Sequence, residues 1–262
     1  MKSLRTLYSD ENQESNQYGK GDLCGTRDDK LLSEEDVCPK CRGVGFIVKR
    51  DEKYQDIITP CNCSVKDDVK LKWKRAGLNV DNSSLSFKNY KVFNDLTRYC
   101  RNKALAYVKS FKEIRNIRQN SIAFLGQVGS GKTHLSIAIA MNLMESGVRA
   151  YYMPYRDAIT KIKQNMLDDE VYKKSMDKYK TSELLVIDDL FKGKVTESDI
   201  NIVFEIINYR YLNNLPLVIS SEYTMEKLLD LDEAVGSRIF EMCRGKVVEI
   251  RGKENNYRLN FI

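Results

Sequence analysis

The stretch SIAFLGQVGSGKTHL, residues 121–135, decides the fold. The apolar run Ser121 to Leu125 is typical of a buried strand, and the next eight residues match the pattern GxxxxGK[ST]. Glycines in such a loop let backbone N–H groups surround phosphate oxygens, and the N-terminus of the following helix adds positive potential. The sequence therefore predicts a nucleotide phosphate site formed by Gly126, Gln127, Val128, Gly129, Ser130, Gly131, Lys132, Thr133 and His134.

Apolar runs and helical patterns alternate from about residue 94 onward. This alternation is typical of an α/β fold in which a parallel sheet is flanked by helices. The predicted strands are 121–125, 148–153, 184–187, 217–220 and 247–250, and the predicted helices are 131–146, 155–178, 196–213 and 232–242.

A second half of the site is predicted at Leu184–Asp189, where an apolar strand ends in two carboxylates. Ligands gather at the carboxyl ends of parallel strands. We expect Lys132 to hold phosphate, Thr133 and Asp188 to hold Mg²⁺, and Asp189 to orient or deprotonate the attacking water. The alternative for either carboxylate is an ordinary solvated strand end.

Composition excludes several classes of protein. The chain has 262 residues, 42% of them apolar, a net charge of +6 and a single histidine, which rules out a multi-histidine metal or catalytic site. The first residues lack the apolar core of a secretory signal, and no run is long enough to span a membrane. We therefore expect a cytoplasmic protein whose seven cysteines are reduced and either free, metal-bound or reactive.

Four cysteines form a metal-ligand pattern, CxxC at Cys38 and Cys41 and CxC at Cys61 and Cys63. Cysteine pairs in short turns suit a tetrahedral Zn²⁺ site with four sulfur ligands, which would be closed and structural. Free thiols or a redox CxxC are the alternatives, and Cys24 could replace one ligand. The remaining cysteines, Cys100 and Cys243, are expected to be buried.

Charge divides the chain into four segments. Residues 1–37 hold five basic and nine acidic side chains and are predicted to be a flexible acidic arm, whereas 38–75, the zinc module, hold ten basic and five acidic. Residues 76–93 are predicted to be a connector, and 94–262 are predicted to form the nucleotide domain. The basic module, with Tyr54, Lys72, Trp73, Lys74 and Arg75, could bind single-stranded DNA, be a solvated face with a helix leading into the nucleotide domain, or contact a protein.

The motifs at Gly126–Thr133, Leu184–Asp189, Leu217–Glu222 and Gly236–Ile239 together resemble those of AAA+ ATPases. The resemblance is to DnaC/DnaI-type replicative helicase loaders and their IstB-like transposition relatives, and it covers roughly residues 85–262. The cysteine module resembles the amino-terminal region of phage and Firmicute loaders. This resemblance implies a P-loop AAA+ core with a five-stranded parallel sheet, no C-terminal helical lid, and a small Cys₄ zinc module.

The resemblance implies further contacts to the nucleotide. The family places a polar γ-phosphate sensor where this chain has Ser220, Ser221 and Glu222, with Ser221 and Glu222 the candidates. AAA+ enzymes usually carry Glu at the position of Asp189, so the shorter carboxylate implies slow or partner-dependent hydrolysis.

Three arginines have roles implied by the resemblance. Arg238 matches the arginine finger that one subunit donates to its neighbour's γ-phosphate, which implies self-association. The alternatives are that Arg238 is an ordinary arginine on the helix surface and that Arg244 is the finger. Arg258, near the chain end, could make a sensor-like contact to the nucleotide. Relatives also place a DNA-contacting helix at 155–178, which here carries Tyr155, Lys161, Lys163, Lys173 and Lys174.

The function that the resemblance implies is ATP-dependent loading of a hexameric replicative helicase onto single-stranded DNA. ATP, Mg²⁺ and Zn²⁺ are the expected cofactors, the helicase is contacted through the amino-terminal region, and no membrane is involved. Two alternatives remain: an IstB-like ATPase that delivers a transposase to target DNA, and a zinc-containing nucleic-acid-binding protein whose nucleotide site is passive.

Overall fold

A computed structural model describes residues 38–50, 55–75, 78 and 85–260. The predicted acidic arm, Cys24 and Tyr54 lie outside these described residues. The strands are β1 (Phe46–Arg50), β2 (Asp56–Pro60), β3 (Ile122–Gly126), β4 (Ala150–Pro154), β5 (Leu184–Asp188), β6 (Leu217–Ser221) and β7 (Val247–Ile250). The helices are α1 (Asn62–Arg75), α2 (Asp95–Ile114), α3 (Lys132–Glu145), α4 (Tyr155–Gln164), α5 (Asp169–Thr181), α6 (Glu197–Leu212), α7 (Met225–Leu231), α8 (Glu233–Met242) and α9 (Tyr257–Asn260).

The main sheet has five parallel strands in the order β4-β5-β6-β3-β7. All five predicted strands are confirmed to within two residues. Strand β6 lies between β3, which leads into the glycine loop, and β5, which ends in Asp188. The two halves of the predicted site therefore both lie at the carboxyl ends of the strands, close to the point where the order of the strands reverses.

Helices cover both faces of this sheet. Because successive strand residues point to opposite faces, Ile122 and Phe124 pack with α2 and α3, whereas Ala123 and Leu125 pack with α4, α6 and α8. Strands β3, β5 and β6 are buried on both faces, which explains why their sequences are nearly continuous apolar runs. The expected α/β fold class is confirmed.

The predicted helix 155–178 is wrong as a single element. Helix α4 ends at Gln164, and a new helix, α5, begins after Asp168, whose side chain accepts a hydrogen bond from the Val171 N–H and so caps it. Helices α2 and α7 were not predicted from the sequence pattern; α2 is capped by Asn94, and α7, which precedes α8, is capped by Thr224 in the same way. A capping side chain can start a new helix inside a continuous helical pattern.

After β7 the chain forms a 3₁₀ turn at Lys253–Asn255 and then the four-residue helix α9. Within the described residues, no bundle of helices follows the sheet.

The cysteine module is a small antiparallel hairpin, β1 and β2, followed by α1. Helix α1 packs its Trp73, which is 1% exposed, against β4, and the indole N–H donates to the Ala150 carbonyl at 3.0 Å. The module is therefore joined to the edge of the main sheet, and residues from Cys38 onward form one compact unit.

None of the helices in the described part of the chain has the length and apolar character needed to cross a bilayer.

Candidate nucleotide site and cysteine cluster

The glycine loop begins where β3 ends against β7. The Gln127 N–H donates to the Ile250 carbonyl at 2.7 Å, and Gly126 has φ of +96°. A Cβ at Gly126 would lie 2.3 Å from that carbonyl oxygen, and one at Gly131, where φ is +83°, would lie 2.8 Å from the Tyr90 ring. Only glycine fits these two positions, because both the backbone conformation and the close neighbours exclude a side chain.

Lys132 is buried within this loop, with 5% of its surface exposed. Its ammonium donates to the carbonyls of Gly126 at 2.9 Å and Gln127 at 2.6 Å. Burial lowers the pKa of Lys132, while the nearby carboxylates of Asp189 and Glu222 oppose that shift. The loop therefore places the Lys132 ammonium beside its own backbone, next to the N–H groups that would surround a phosphate.

Asp188 is held by hydroxyl groups from three separate elements. Its Oδ1 accepts from Thr133 at 2.8 Å and from Ser220, and its Oδ2 accepts from Tyr152 at 2.8 Å. Burial and the carboxylate raise the pKa of the Tyr152 hydroxyl well above its usual value, so this group stays protonated and donates. Thr133 and Asp188, the two predicted Mg²⁺ ligands, thus lie in direct contact.

Asp189 lies beside this cluster in a backbone conformation with φ of +55°. Its N–H donates to the Ser220 hydroxyl at 2.9 Å, and its carboxylate pairs with Lys192 at 2.7 Å. Lys192 also pairs with Glu222 at 3.1 Å. Sequence reasoning identified Asp189 and Glu222 but missed both Lys192, which joins them, and Tyr152.

A cavity of about 440 Å³ opens over the loop. The segment predicted to be only a connector contributes Leu85, Tyr90 and Phe93 to its walls, and the chain end contributes Tyr257 and Arg258. Within the described residues the buried Tyr90 hydroxyl has no hydrogen-bond partner. Predicted site residues that line the cavity are Val128, Gly129, Ser130, Gly131, Lys132, Thr133, His134, Asp189, Glu222 and Arg258.

Two predicted contacts lie elsewhere. Ser221 is fully buried and its hydroxyl donates to the Leu190 carbonyl at 2.7 Å, so its position does not fit a phosphate contact; Ser220 bonds Asp188 instead. Arg238 on α8 is half-buried outside the cavity lining, where it donates to Asn208 at 3.1 Å. The rival, Arg244, is exposed just after α8.

The four predicted zinc ligands converge. The sulfurs of Cys38, Cys41, Cys61 and Cys63 all lie within 4.8 Å of one another. Cys38 Sγ is 3.8 Å from Cys61 Sγ, and Cys41 Sγ is 3.3 Å from Cys63 Sγ. Zinc–sulfur bonds of about 2.3 Å in a tetrahedron place sulfurs roughly 3.8 Å apart, so the cluster has the right size for a zinc ion.

The electrostatics of these thiols also suit a cation. The backbone N–H groups of Cys41 and Lys40 lower the pKa of Cys38 to about 6. The Cys41 thiol and burial raise the pKa of Cys63 to about 12. Zinc binds cysteine as the thiolate, so metal binding to this cluster would release the remaining thiol protons.

Trp73 and parts of the predicted DNA-contacting helix are not available for base stacking or phosphate contacts. Trp73 is buried against β4, and Tyr155 is 4% exposed. Lys163 is engaged by Thr196 and Asp199. Lys161, Lys173 and Lys174 are exposed.

Comparisons with known proteins agree with this architecture. The model of the family "IstB-like ATP binding protein" matches residues 80–260. The Bacillus subtilis (strain 168) protein YqaM is 39% identical over 88% of this chain and 75% of its own length. The phage-like element PBSX protein XkdC of the same organism is 34% identical over 86% of this chain and 87% of its own.

A solved structure shares the fold. The crystal structure of the DnaC helicase loader superposes with a TM-score of 0.54 at 25% identity, covering 64% of this chain and 98% of that chain. The family match spans most of the chain and includes both halves of the nucleotide site. The chain therefore belongs to the IstB-like ATP-binding proteins and has a P-loop AAA+ fold like that of the DnaC helicase loader.

Proposed function

We propose that this protein is an ATP-dependent loader that places a hexameric replicative helicase on single-stranded DNA in the cytoplasm. The observation that carries the proposal is that the fold matches 98% of the DnaC helicase loader structure. The nucleotide site lies within residues 80–260, which the family model matches, so the assembly step would be controlled by ATP.

Within this role the chain hydrolyses ATP to ADP and phosphate, slowly and with stimulation by its partner. Lys132 binds phosphate, Thr133 and Asp188 would hold Mg²⁺, and Asp189 orients the attacking water. Magnesium supplies positive charge that neutralises the phosphate oxygens in the transition state. The contact between Thr133 and Asp188 at 2.8 Å supports this assignment, because the two oxygens are close enough to bind the same ion.

Arg238 would act on the nucleotide of a neighbouring subunit, which requires self-association. Its place outside its own chain's cavity is consistent with action in trans. Its guanidinium lies 5.1 Å from the Phe204 ring centre and donates to Asn208 and to the Ala234 carbonyl, so contacts with both α6 and α8 fix its position.

The helicase would dock on the hairpin of the zinc module. Phe46 and Val48 on β1 face the same side as Ile58 on β2, and their exposed fractions are 52%, 60% and 66%. Clusters of large exposed apolar side chains mark interaction surfaces. Single-stranded DNA would contact basic side chains such as Lys161, Lys173 and Lys174.

The first experiment measures complex formation. Purified protein is mixed with a hexameric replicative helicase, and mass is read by light scattering with and without ATP. A complex that depends on nucleotide state, and that Lys132→Ala alters, is expected. Absence of a complex in every nucleotide state contradicts the loader function.

Matched variants locate the helicase contact. Ile58→Asp places a charge on the apolar hairpin face and is expected to weaken the complex at least tenfold, whereas Ile57→Asp makes the same change on the opposite face and has a smaller effect. Equal effects of the two variants would place the contact elsewhere.

Hydrolysis is measured separately, with DNA and helicase present. Wild-type protein is expected to release phosphate faster than Lys132→Ala. Equal rates would favour the passive nucleotide site. An ATPase that is stimulated by target DNA and a transposase but binds no helicase would favour the transposition role, which the family's description keeps open.

A further inference from the structure

Lys192 is a charged side chain in the lining of the cavity that has no assigned role in phosphate or Mg²⁺ binding. It follows Asp189 by three residues, lines the cavity, and pairs with the carboxylates of Asp189 at 2.7 Å and Glu222 at 3.1 Å. Phe191, just before Lys192, has φ of +59°, so the backbone turns at this residue and places the Lys192 ammonium beside the Asp189 carboxylate.

The two partners of Lys192 flank the phosphate end of the cavity. Asp189 directly follows Asp188, which contacts Thr133 of the glycine loop at 2.8 Å. Glu222 directly follows β6, whose Ser220 also bonds Asp188. Lys192 therefore lies at the end of the cavity where the Mg²⁺ ligands meet.

The charges around Lys192 favour replacement of its carboxylate partners by a phosphate group. Its hydrogen bond with Asp189 raises the pKa of Lys192, with Glu222 adding to that shift, so the ammonium stays protonated. Its side chain is 42% exposed, and ion pairs at such positions contribute little free energy. The terminal phosphate of a nucleoside triphosphate carries more negative charge than either carboxylate and would compete for the lysine.

We propose that Lys192 binds the terminal phosphate of a nucleoside triphosphate, releasing Asp189 and Glu222, and so distinguishes a triphosphate from a diphosphate. The proposal rests on the proposed function only in requiring that a nucleotide occupies this cavity. With Lys192 on the phosphate, the Asp189 carboxylate loses its cation and becomes available to the attacking water.

The test compares affinities for β,γ-methylene-ATP and ADP, both with Mg²⁺, by calorimetric titration. Lys192→Met is expected to weaken binding of the triphosphate analogue about tenfold and that of ADP less than about twofold, since one charge-assisted hydrogen bond is lost. Lys192→Arg should restore most of the difference. The matched control is Lys194→Met, an exposed lysine outside the described cavity lining, which should change neither affinity.

The exchange itself is tested by removing the competing charge. Glu222→Gln is expected to raise the ratio of triphosphate to ADP affinity, and to raise it less when Lys192→Met is also present, because the competitor then has nothing to release. An equal rise in both backgrounds contradicts the exchange.

The outcomes separate this proposal from the nucleotide site as a whole. If Lys192→Met loses both ligands equally, or neither, while wild-type protein binds nucleotide and Lys132→Ala does not, the role of Lys192 is wrong and the site stands. If wild-type protein binds neither nucleotide, both are wrong.

Discussion

At the scale of single residues, Asp188 links the two halves of the nucleotide site, because its carboxylate contacts Thr133 of the glycine loop and Tyr152 of β4. Its place at the end of an apolar strand identified it as a ligand. The hydroxyls that orient it come from Thr133, Tyr152 and Ser220, on different elements. Tyr152 follows Tyr151 in a strand of mixed composition, and nothing local distinguishes the two. The neighbouring position of β4 and β5 in the sheet selects Tyr152.

Removing this hydroxyl tests whether it positions Asp188. Tyr152→Phe keeps the ring but leaves Asp188 Oδ2 without its donor at 2.8 Å. We expect the Mg²⁺ concentration needed for half-maximal nucleotide binding to rise about fivefold, with a loss of about 1 kcal/mol in the free energy of unfolding.

Tyr151→Phe is the matched control for this prediction. Tyr151 packs on the opposite face of the sheet, with the cluster around α5 and α6, so its loss should leave the Mg²⁺ requirement unchanged. A Tyr152→Phe protein that loses stability but keeps the wild-type Mg²⁺ requirement would show that the hydroxyl is structural only.

At the scale of elements, the hydrophobic pattern predicted all five parallel strands: β3, β5 and β6 are nearly continuous apolar runs buried on both faces, whereas β4 and β7 include half-buried residues. The pattern failed at α4 and α5, where a capping residue separates two helices. Asp168 caps α5, and Leu167, which is fully exposed between the two helices, would have counted as a core position. The segment 85–93 was predicted to be a connector from its lack of periodicity, yet buried Phe87 and Tyr90 pack against the core. Burial of irregular chain leaves no periodic signal.

Helix α1 offers a test of how firmly the zinc module is joined to the nucleotide domain. Trp73 is 1% exposed, donates to the Ala150 carbonyl and lies 5.4 Å from the Tyr152 ring. Trp73→Phe loses that hydrogen bond and leaves a cavity, so we expect urea denaturation to show a loss of about 1–3 kcal/mol.

The control for Trp73→Phe is Tyr99→Phe on α2, whose ring is 47% exposed and which should stay within about 0.5 kcal/mol of wild type. An unchanged Trp73→Phe protein would mean that α1 is not held by this contact.

At the scale of the whole molecule, the nucleotide domain and the zinc module have different sources of stability. The nucleotide domain has two apolar layers around its sheet, whereas almost every residue of β1 and β2 is exposed. A hairpin with so little core needs another source of stability, which a metal bound by the four cysteines would supply. Cysteine spacing alone predicted this cluster, because each pair is close in sequence: Cys38 and Cys41 lie in one turn, and Cys61 and Cys63 lie where β2 leads into α1.

Removing one ligand should therefore unfold one part of the molecule and spare the other. Cys63→Ser is expected to lower bound zinc well below about one ion per chain and to speed hydrogen exchange in β1 and β2. Affinity for β,γ-methylene-ATP should stay within about twofold, because the described cavity lining includes no residue of the hairpin. Emission from Trp73, the only tryptophan, should remain that of a buried indole, since its contacts lie at the far end of α1.

Cys24→Ser is the matched control for this separation, because four other thiols already complete the site. It should bind as much zinc as wild-type protein. If it loses zinc instead, Cys24 is a ligand and one of the four is not. If Cys63→Ser abolishes nucleotide binding along with zinc, the two parts fold as one cooperative unit, and the expected separation is wrong.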